Sequence, residues 1–185
     1  KSLLGLTRAV QDNNPPPAVR PKTAKRDRNL FTALTCFTRA GYRNGRRAWA
    51  PMSTDMTGKH VVLTGASAGL GFEAAVALLE SGATLTLVIR DPNKVMPMQA
   101  ALQERTGRQA DQVELADLSL LSQVNALSQR LLSADRPIDV LINNAGALFN
   151  DYSQTSEGIE TSAALLPLSP WRLTEALHPR LAHHK

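Results

Sequence analysis

From His60 onward the chain alternates short, almost wholly apolar runs with longer stretches whose apolar residues recur every three or four positions. The runs at His60–Thr64, Thr84–Arg90, Gln112–Leu115 and Asp139–Asn143 each predict a strand. Between them, Leu70, Ala74, Ala77 and Leu78 share one helical face, and Gly82 stops that helix. Pro97–Arg105 predicts a second helix, closed by Gly107, and Leu120, Val124, Leu127 and Leu131 line the face of a third. A last helix is expected over Trp171–Leu181. Strands alternating with helices at this spacing imply a parallel sheet covered on both faces. Strands buried on both faces must be apolar throughout, as these nearly are.

The first 56 residues follow no such pattern. NNPPPAVRPKTAKRDR at 13–28 is expected to be extended, because three successive prolines favour polyproline II and little of it can be buried. Leu30, Leu34 and Phe37 recur at helical spacing, with Gly41 as the expected stop, and predict a short amphipathic helix packed on its own domain. The chain thus divides near Asp55 into an arm, 1–56, and a sheet domain, 57–185.

Charge sharpens that division. Residues 1–56 carry eleven Lys/Arg against three acids, and residues 57–185 carry ten against thirteen, so the net charge of +5 belongs to the arm. A solvated tail, a docking arm, a nucleic-acid contact and the remnant of a targeting sequence all fit. Arg-rich, acid-poor composition is that of transit peptides, so a mitochondrial location is expected, with the cytoplasm as the alternative. Aromatic residues make up 4%, which does not favour base stacking. No apolar run is long enough to predict a transmembrane helix. Cys36 stands alone, which excludes an internal disulfide and a cysteine-based zinc site. His178, His183 and His184 have no acid or cysteine beside them, and no metal is expected.

The candidate chemistry lies at the first strand-to-helix turn. Gly65, Gly69 and Gly71 let the backbone turn sharply and let a pyrophosphate approach without a Cβ in the way. The following helix offers free N–H groups and the positive end of its dipole. The expected fold class is therefore α/β: a truncated Rossmann arrangement, a doubly wound parallel sheet, behind a basic N-terminal arm.

The spacing is Gly-x-x-x-Gly-x-Gly, and TGASAGLG at 64–71 resembles the short-chain dehydrogenase/reductase family. Two further motifs follow in order: Asp117-Leu118 after the third strand, and Asn143-Asn144-Ala145-Gly146 closing the fourth. Thr155, Glu157-Gly158 and Glu160 match a looser pattern beyond them, and TRAGYRNG at 38–45 resembles the dehydrogenase/reductase group numbered twelve. The resemblance covers about the first two thirds of a family domain. It implies a nicotinamide dinucleotide held by Gly65, Ser67, Gly69, Leu70, Gly71, Asp117, Leu118, Asn143, Ala145 and Gly146. Arg90 and Lys94 would lie beside the adenosine ribose, where a cation pairs with a 2′-phosphate and favours NADP(H) over NAD. Asp91 opposes this, since it could serve the ribose or neutralise Arg90.

The resemblance also implies a Tyr acid/base with a Lys four residues later. The residues four past Tyr42 and Tyr152 are Arg46 and Ser156, so no catalytic residue is assigned. The family's helical Asn aligns with Leu166, and Pro167 and Pro170 beside it are expected to interrupt a helix. The usual strand order is 3-2-1-4-5-6, of which these strands supply 3-2-1-4. The outer edge of Asp139–Asn143 is then expected to need cover from another protein subunit, the arm or a continuation. The expected function is an NADP(H)-binding accessory subunit that does no catalysis by itself. One alternative is the N-terminal part of an NADP-dependent oxidoreductase. The other is a ribonucleoprotein subunit using the arm.

Overall fold

The computed structural model describes residues 38–47, 55–134 and 136–181. The expectations placed on 13–28, on Leu30–Phe37 and on His183 and His184 lie outside the described residues. Two units emerge, divided between Met52 and Ser53. In the first, helix α1 spans Arg39–Arg46 and buries no residue. Thr38 caps it, its hydroxyl accepting the Gly41 N–H at 3.3 Å. Gly41 thus sits in the first turn rather than at a stop, because this cap starts the helix just before it.

In the second unit, strands β1 (His60–Thr64), β2 (Thr84–Ile89), β3 (Gln112–Leu115) and β4 (Val140–Ile142) form one parallel sheet in the order β3-β2-β1-β4. Helices α2 (Gly69–Glu80), α3 (Val95–Thr106) and α4 (Leu121–Ser133) link them in turn. The side chains of a strand alternate between faces. Val61, Leu63, Leu85 and Leu87 accordingly pack with Val76, Leu79, Met98 and Leu102 of α2 and α3. Val62 and Val88 pack on the other face with Val124, Leu127 and Leu131 of α4.

Full burial holds for β1 and nearly so for β2. It fails for the outer strands: Gln112 and Leu115 of β3 are exposed, and all of β4 is half-buried. An outer strand has a neighbour on one side only, so its ends stay in reach of water. β4 is also shorter than expected. The Asp139 carboxylate is committed to the Lys59 ammonium at 2.9 Å and the His60 N–H at 2.8 Å, and Asn143 has turned toward the last helix.

That helix departs most from expectation. A helical run begins with α5 (Thr161–Ala163), widens into a π turn over Ala164–Leu168 and continues as α6 (Ser169–Leu181). Pro167 and Pro170 therefore do not end it. The Ser169 N–H reaches back five residues to the Ala164 carbonyl, and this looser turn accommodates Pro167, which has no N–H to give. Leu173 and Leu177 of α6 complete the α4 side of the core.

Candidate functional site

The carboxyl ends of β1, β2, β3 and β4 open onto a cleft of about 480 Å³. In a doubly wound sheet ligands bind at this end, where the strand order reverses. Its floor is the turn after β1. Gly65 takes φ +72° and donates its N–H to the Val88 carbonyl at 2.9 Å. A Cβ there would come within 2.7 Å of the Ala145 backbone. A Cβ on Gly71 would run into the Gly65 carbonyl and the Asn144 side chain. Both glycines thus let the β1 turn, α2 and the end of β4 close on one another. Gly69 serves differently, through its left-handed φ of +59° with open space at its Cβ position.

Residue Ala68 caps α2, and no side chain bonds into that cap. The first N–H groups of a helix have no partner within it, so this turn presents donors and the positive end of the dipole to the cleft. The floor is held by two side chains. The Thr64 hydroxyl accepts the Asn144 and Ala145 N–H groups, both at 3.0 Å. The Asn144 amide donates to the Thr64 and Gly65 carbonyls, both at 3.1 Å. Neither had been singled out for binding, although both stand inside the quoted motifs. For Thr64 the signal was a polar residue ending a largely apolar strand, where a buried polar group must find partners.

Ten of the twelve residues expected at the site line this cleft. Gly65, Ser67, Leu70 and Gly71 form the floor, and Ala145 and Gly146 border it from β4. Asp117 and Leu118 stand at the end of β3, with Arg90 and Lys94 beyond β2. Gly69 and Asn143 lie outside the lining. The Asn143 amide instead donates to the Thr174 hydroxyl at 3.0 Å and ties β4 to α6. Ser119, Phe149, Thr161 and Leu165 also line the cleft and had not been expected there. They come from loops, a helix start and the π turn, none of which carries a periodic signal.

The cationic corner has a definite arrangement. Arg90 and Lys94 both face the cleft, and so does Asp91. The Asp91 carboxylate accepts the Asn93 N–H at 2.9 Å and caps the short helical turn Pro92–Lys94. That commits one of its oxygens to the backbone and leaves the corner two cations to one partly engaged acid. On the β3 side the Asp117 carboxylate accepts the Ser119 N–H at 2.9 Å and the Ser119 hydroxyl at 2.7 Å.

Acid/base chemistry is less well provided. Tyr152 is exposed, its hydroxyl accepting from the Gln154 amide at 2.7 Å, and Lys94 is the one lysine in the lining. Leu166 is 44% exposed, and its Cδ2 would lie 3.4 Å from a Cβ on Gly146. Among the described residues no three His, Cys, Asp or Glu side chains come together as a metal site. No helix there is long and apolar enough to cross a membrane. An uncapped helix start, glycines at the closest approach and two cations in one cleft fit a phosphate-bearing dinucleotide.

The short chain dehydrogenase family model matches residues 59–184. Human retinol dehydrogenase 11 is 35% identical over 129 residues, covering 70% of this chain and 41% of that protein. Dehydrogenase/reductase SDR family member 12 of Bos taurus is 29% identical over 147 residues, covering 78% and 46%. The chain thus spans less than half the length of these relatives. Among solved structures, a short-chain dehydrogenase from Sphingobium yanoikuyae in complex with NADPH matches with 35% identity and a TM-score of 0.56, covering 66% of this chain and 48% of that one. L-sorbose reductase from Gluconobacter frateurii, complexed with NADPH and L-sorbose, matches with 27% identity and a TM-score of 0.60, covering 70% and 50%.

Proposed function

We propose, from the premise that the chain belongs to the short-chain dehydrogenase family, that residues 55–181 hold NADP(H) as the nucleotide-binding half of an oxidoreductase domain. The observation that carries this is the cleft itself, which gathers an uncapped α2 start and the cations Arg90 and Lys94 in one lining. The N–H groups of that first turn would take the pyrophosphate, and the two cations the 2′-phosphate. Bound NADP(H) supplies or accepts a hydride. Thr64 and Asn144 would keep the floor rigid beneath it. The Tyr–Lys pair of the family reaction has no counterpart in this sequence and would have to come from a continuation of the chain or from a second protein.

The test is titration with NADPH and with NADH. The chain is expected to prefer NADPH, and joint replacement of Arg90 and Lys94 by Ala should remove the preference. A charge-assisted contact contributes roughly 1.5–3 kcal/mol, or about a tenfold or greater change in affinity. Equal affinity for the two nucleotides would end the NADP(H) assignment, and no binding of either would end the nucleotide reading.

A second reading, a non-catalytic accessory subunit, is supported by Leu166. It stands where the family resemblance places an Asn, and its apolar side chain lies beside Gly146, itself a lining residue, although Leu166 is outside the lining. The half-buried β4 offers an edge through which another subunit could hold it, and the arm's composition suggests mitochondria as the place. Recovery of carbonyl reduction by a complex containing this chain, and its loss on Gly71→Leu, would speak against an inert role.

A further inference from the structure

Helix α4 begins without a cap of its own. Its N-cap is Leu120, which has no side-chain acceptor. The acceptor arrives from a distant part of the chain. The Glu157 carboxylate takes the Leu121 N–H at 2.7 Å and the Ser122 N–H at 3.0 Å, across 36 and 35 residues. Hydrogen bonds from Ser122, side chain and backbone, and from the Leu121 backbone keep Glu157 below the usual carboxylate range.

The elements that Glu157 joins each lead to residues that line the cleft. On one side, the first turn of α4 carries the Asp117–Ser119 segment: the Gln123 side chain accepts the Asp117 N–H at 2.8 Å, and the Leu120 N–H reaches the Asp117 carbonyl at 3.1 Å. On the other side, Glu157 sits at the tip of a tight hairpin. Thr155 and Ile159 pair at 2.8 Å, Gly158 turns the chain at φ +76°, and the Thr161 N–H closes the base on the Ser153 carbonyl at 2.9 Å. Thr161 and Leu165, which follow that base, line the same cleft as Asp117, Leu118 and Ser119. Glu160 fixes the base in turn, its carboxylate accepting the Ser162 and Ala163 N–H groups at 2.9 and 2.7 Å.

We infer that Glu157 is a positioning residue for the nucleotide cleft. By capping α4 from the hairpin, it holds the Asp117–Ser119 segment and the Thr161–Leu165 segment at a fixed separation. The inference rests on the reading of the cleft as a nucleotide site. Through these two hydrogen bonds Glu157 couples two segments that both contribute to the lining of one cleft.

The experiment compares the full chain with Glu157→Ala, Glu157→Gln and the control Glu175→Ala, whose carboxylate pairs with Arg172 away from the cleft. Backbone amide exchange is measured without nucleotide, and NADPH affinity by fluorescence. In Glu157→Ala, exchange at Ser119 and at Thr161 is expected to rise together, and NADPH binding to weaken roughly tenfold. Glu157→Gln, which keeps one acceptor oxygen, should lie between it and wild type, and Glu175→Ala should match wild type. Faster exchange confined to Leu121 and Ser122, or to the hairpin alone, overturns the inference. So does wild-type NADPH affinity in Glu157→Ala. If the unaltered chain binds no NADPH, the nucleotide reading falls and this inference with it, an outcome distinct from the other two. Where Glu157→Ala does not fold, Glu157→Gln decides: partial loosening of both segments supports the inference, and wild-type exchange overturns it.

Discussion

Gly71 and Gly69 stand two residues apart in one turn and are glycine for different reasons. At Gly71 a Cβ meets a backbone carbonyl and an anchored amide, neither of which can swing aside. Gly71→Ala is expected to destabilise the domain by about 1–3 kcal/mol and to weaken nucleotide binding, as overpacking does. At Gly69 the space is open and only the left-handed backbone resists a side chain. Gly69→Ala should cost about 1–2 kcal/mol, with Gly69→Asn recovering part of it. Urea unfolding of the three variants checks both, and full recovery of Gly71→Ala by a small shift of α2 would show that the contact is not fixed. The motif made all three glycines legible in the sequence. The two separate reasons were not, because they depend on what β4 brings against the turn. Thr64 and Asn144 went unnoticed as anchors for the same cause: their partners lie about 80 residues away.

A buried histidine gives the residue scale a second test. His60 is 5% exposed, its Nδ1 at 2.7 Å from the Pro137 carbonyl and its Nε2 at 2.8 Å from the Thr86 hydroxyl. Burial, the largest influence, disfavours the charged ring and holds its pKa below the ordinary 6.5, against an opposing pull from the Pro137 bond. The unfolded chain therefore takes up a proton first as the pH falls. The stability that His60 contributes is present above about pH 6.5 and is lost progressively below it. Unfolding midpoints from about pH 7.5 to 5.5 should decline in the wild-type chain and decline less in His60→Gln. Equal slopes would show that other groups govern this range.

At the scale of elements, apolar spacing identified α2, α3, α4 and the four strands, because each buries a continuous stripe or run. Where it fell short, a tertiary partner had intervened. The missing cap of α4 is supplied from Glu157, and no local pattern could announce it. The prolines at 167 and 170 were expected to break a helix, but packing held the run together through a π turn. That packing can be tested. Leu173 and Leu177 of α6 are fully buried against the α4 side of the sheet, whereas Trp171 on the same helix is 61% exposed. Leu173→Ala or Leu177→Ala should each cost about 2–5 kcal/mol in denaturant unfolding. Trp171→Ala should change stability by about 0.5 kcal/mol or less. Little effect from the leucines would mean that α6 contributes little to the core.

For the whole molecule, sheet order and charge distribution were both readable from the sequence, and they bear on association rather than on fold. Parallel pairing in the order β3-β2-β1-β4 leaves β4 paired on one side only among the described residues. The charge is split between regions. Residues 1–56 carry the whole positive excess, while 57–185 carry more acids than bases, and α1 displays Arg39, Arg43 and Arg46 on a helix that buries nothing. A split of this kind governs nonspecific contact with anionic surfaces through its local density rather than its net value. The intact chain is therefore expected to bind a sulfonated cation-exchange resin at neutral pH and to elute over a narrow range of salt. A chain beginning at residue 57 should pass through unretained. Retention of the shorter chain would place the effective basic surface on the sheet domain instead, with Arg90 and Lys94 of the cleft lining as its first candidates, and NADPH would then be expected to compete for it. If only the intact chain is retained and NADPH leaves its elution unchanged, the arm and the cleft act on separate anionic partners.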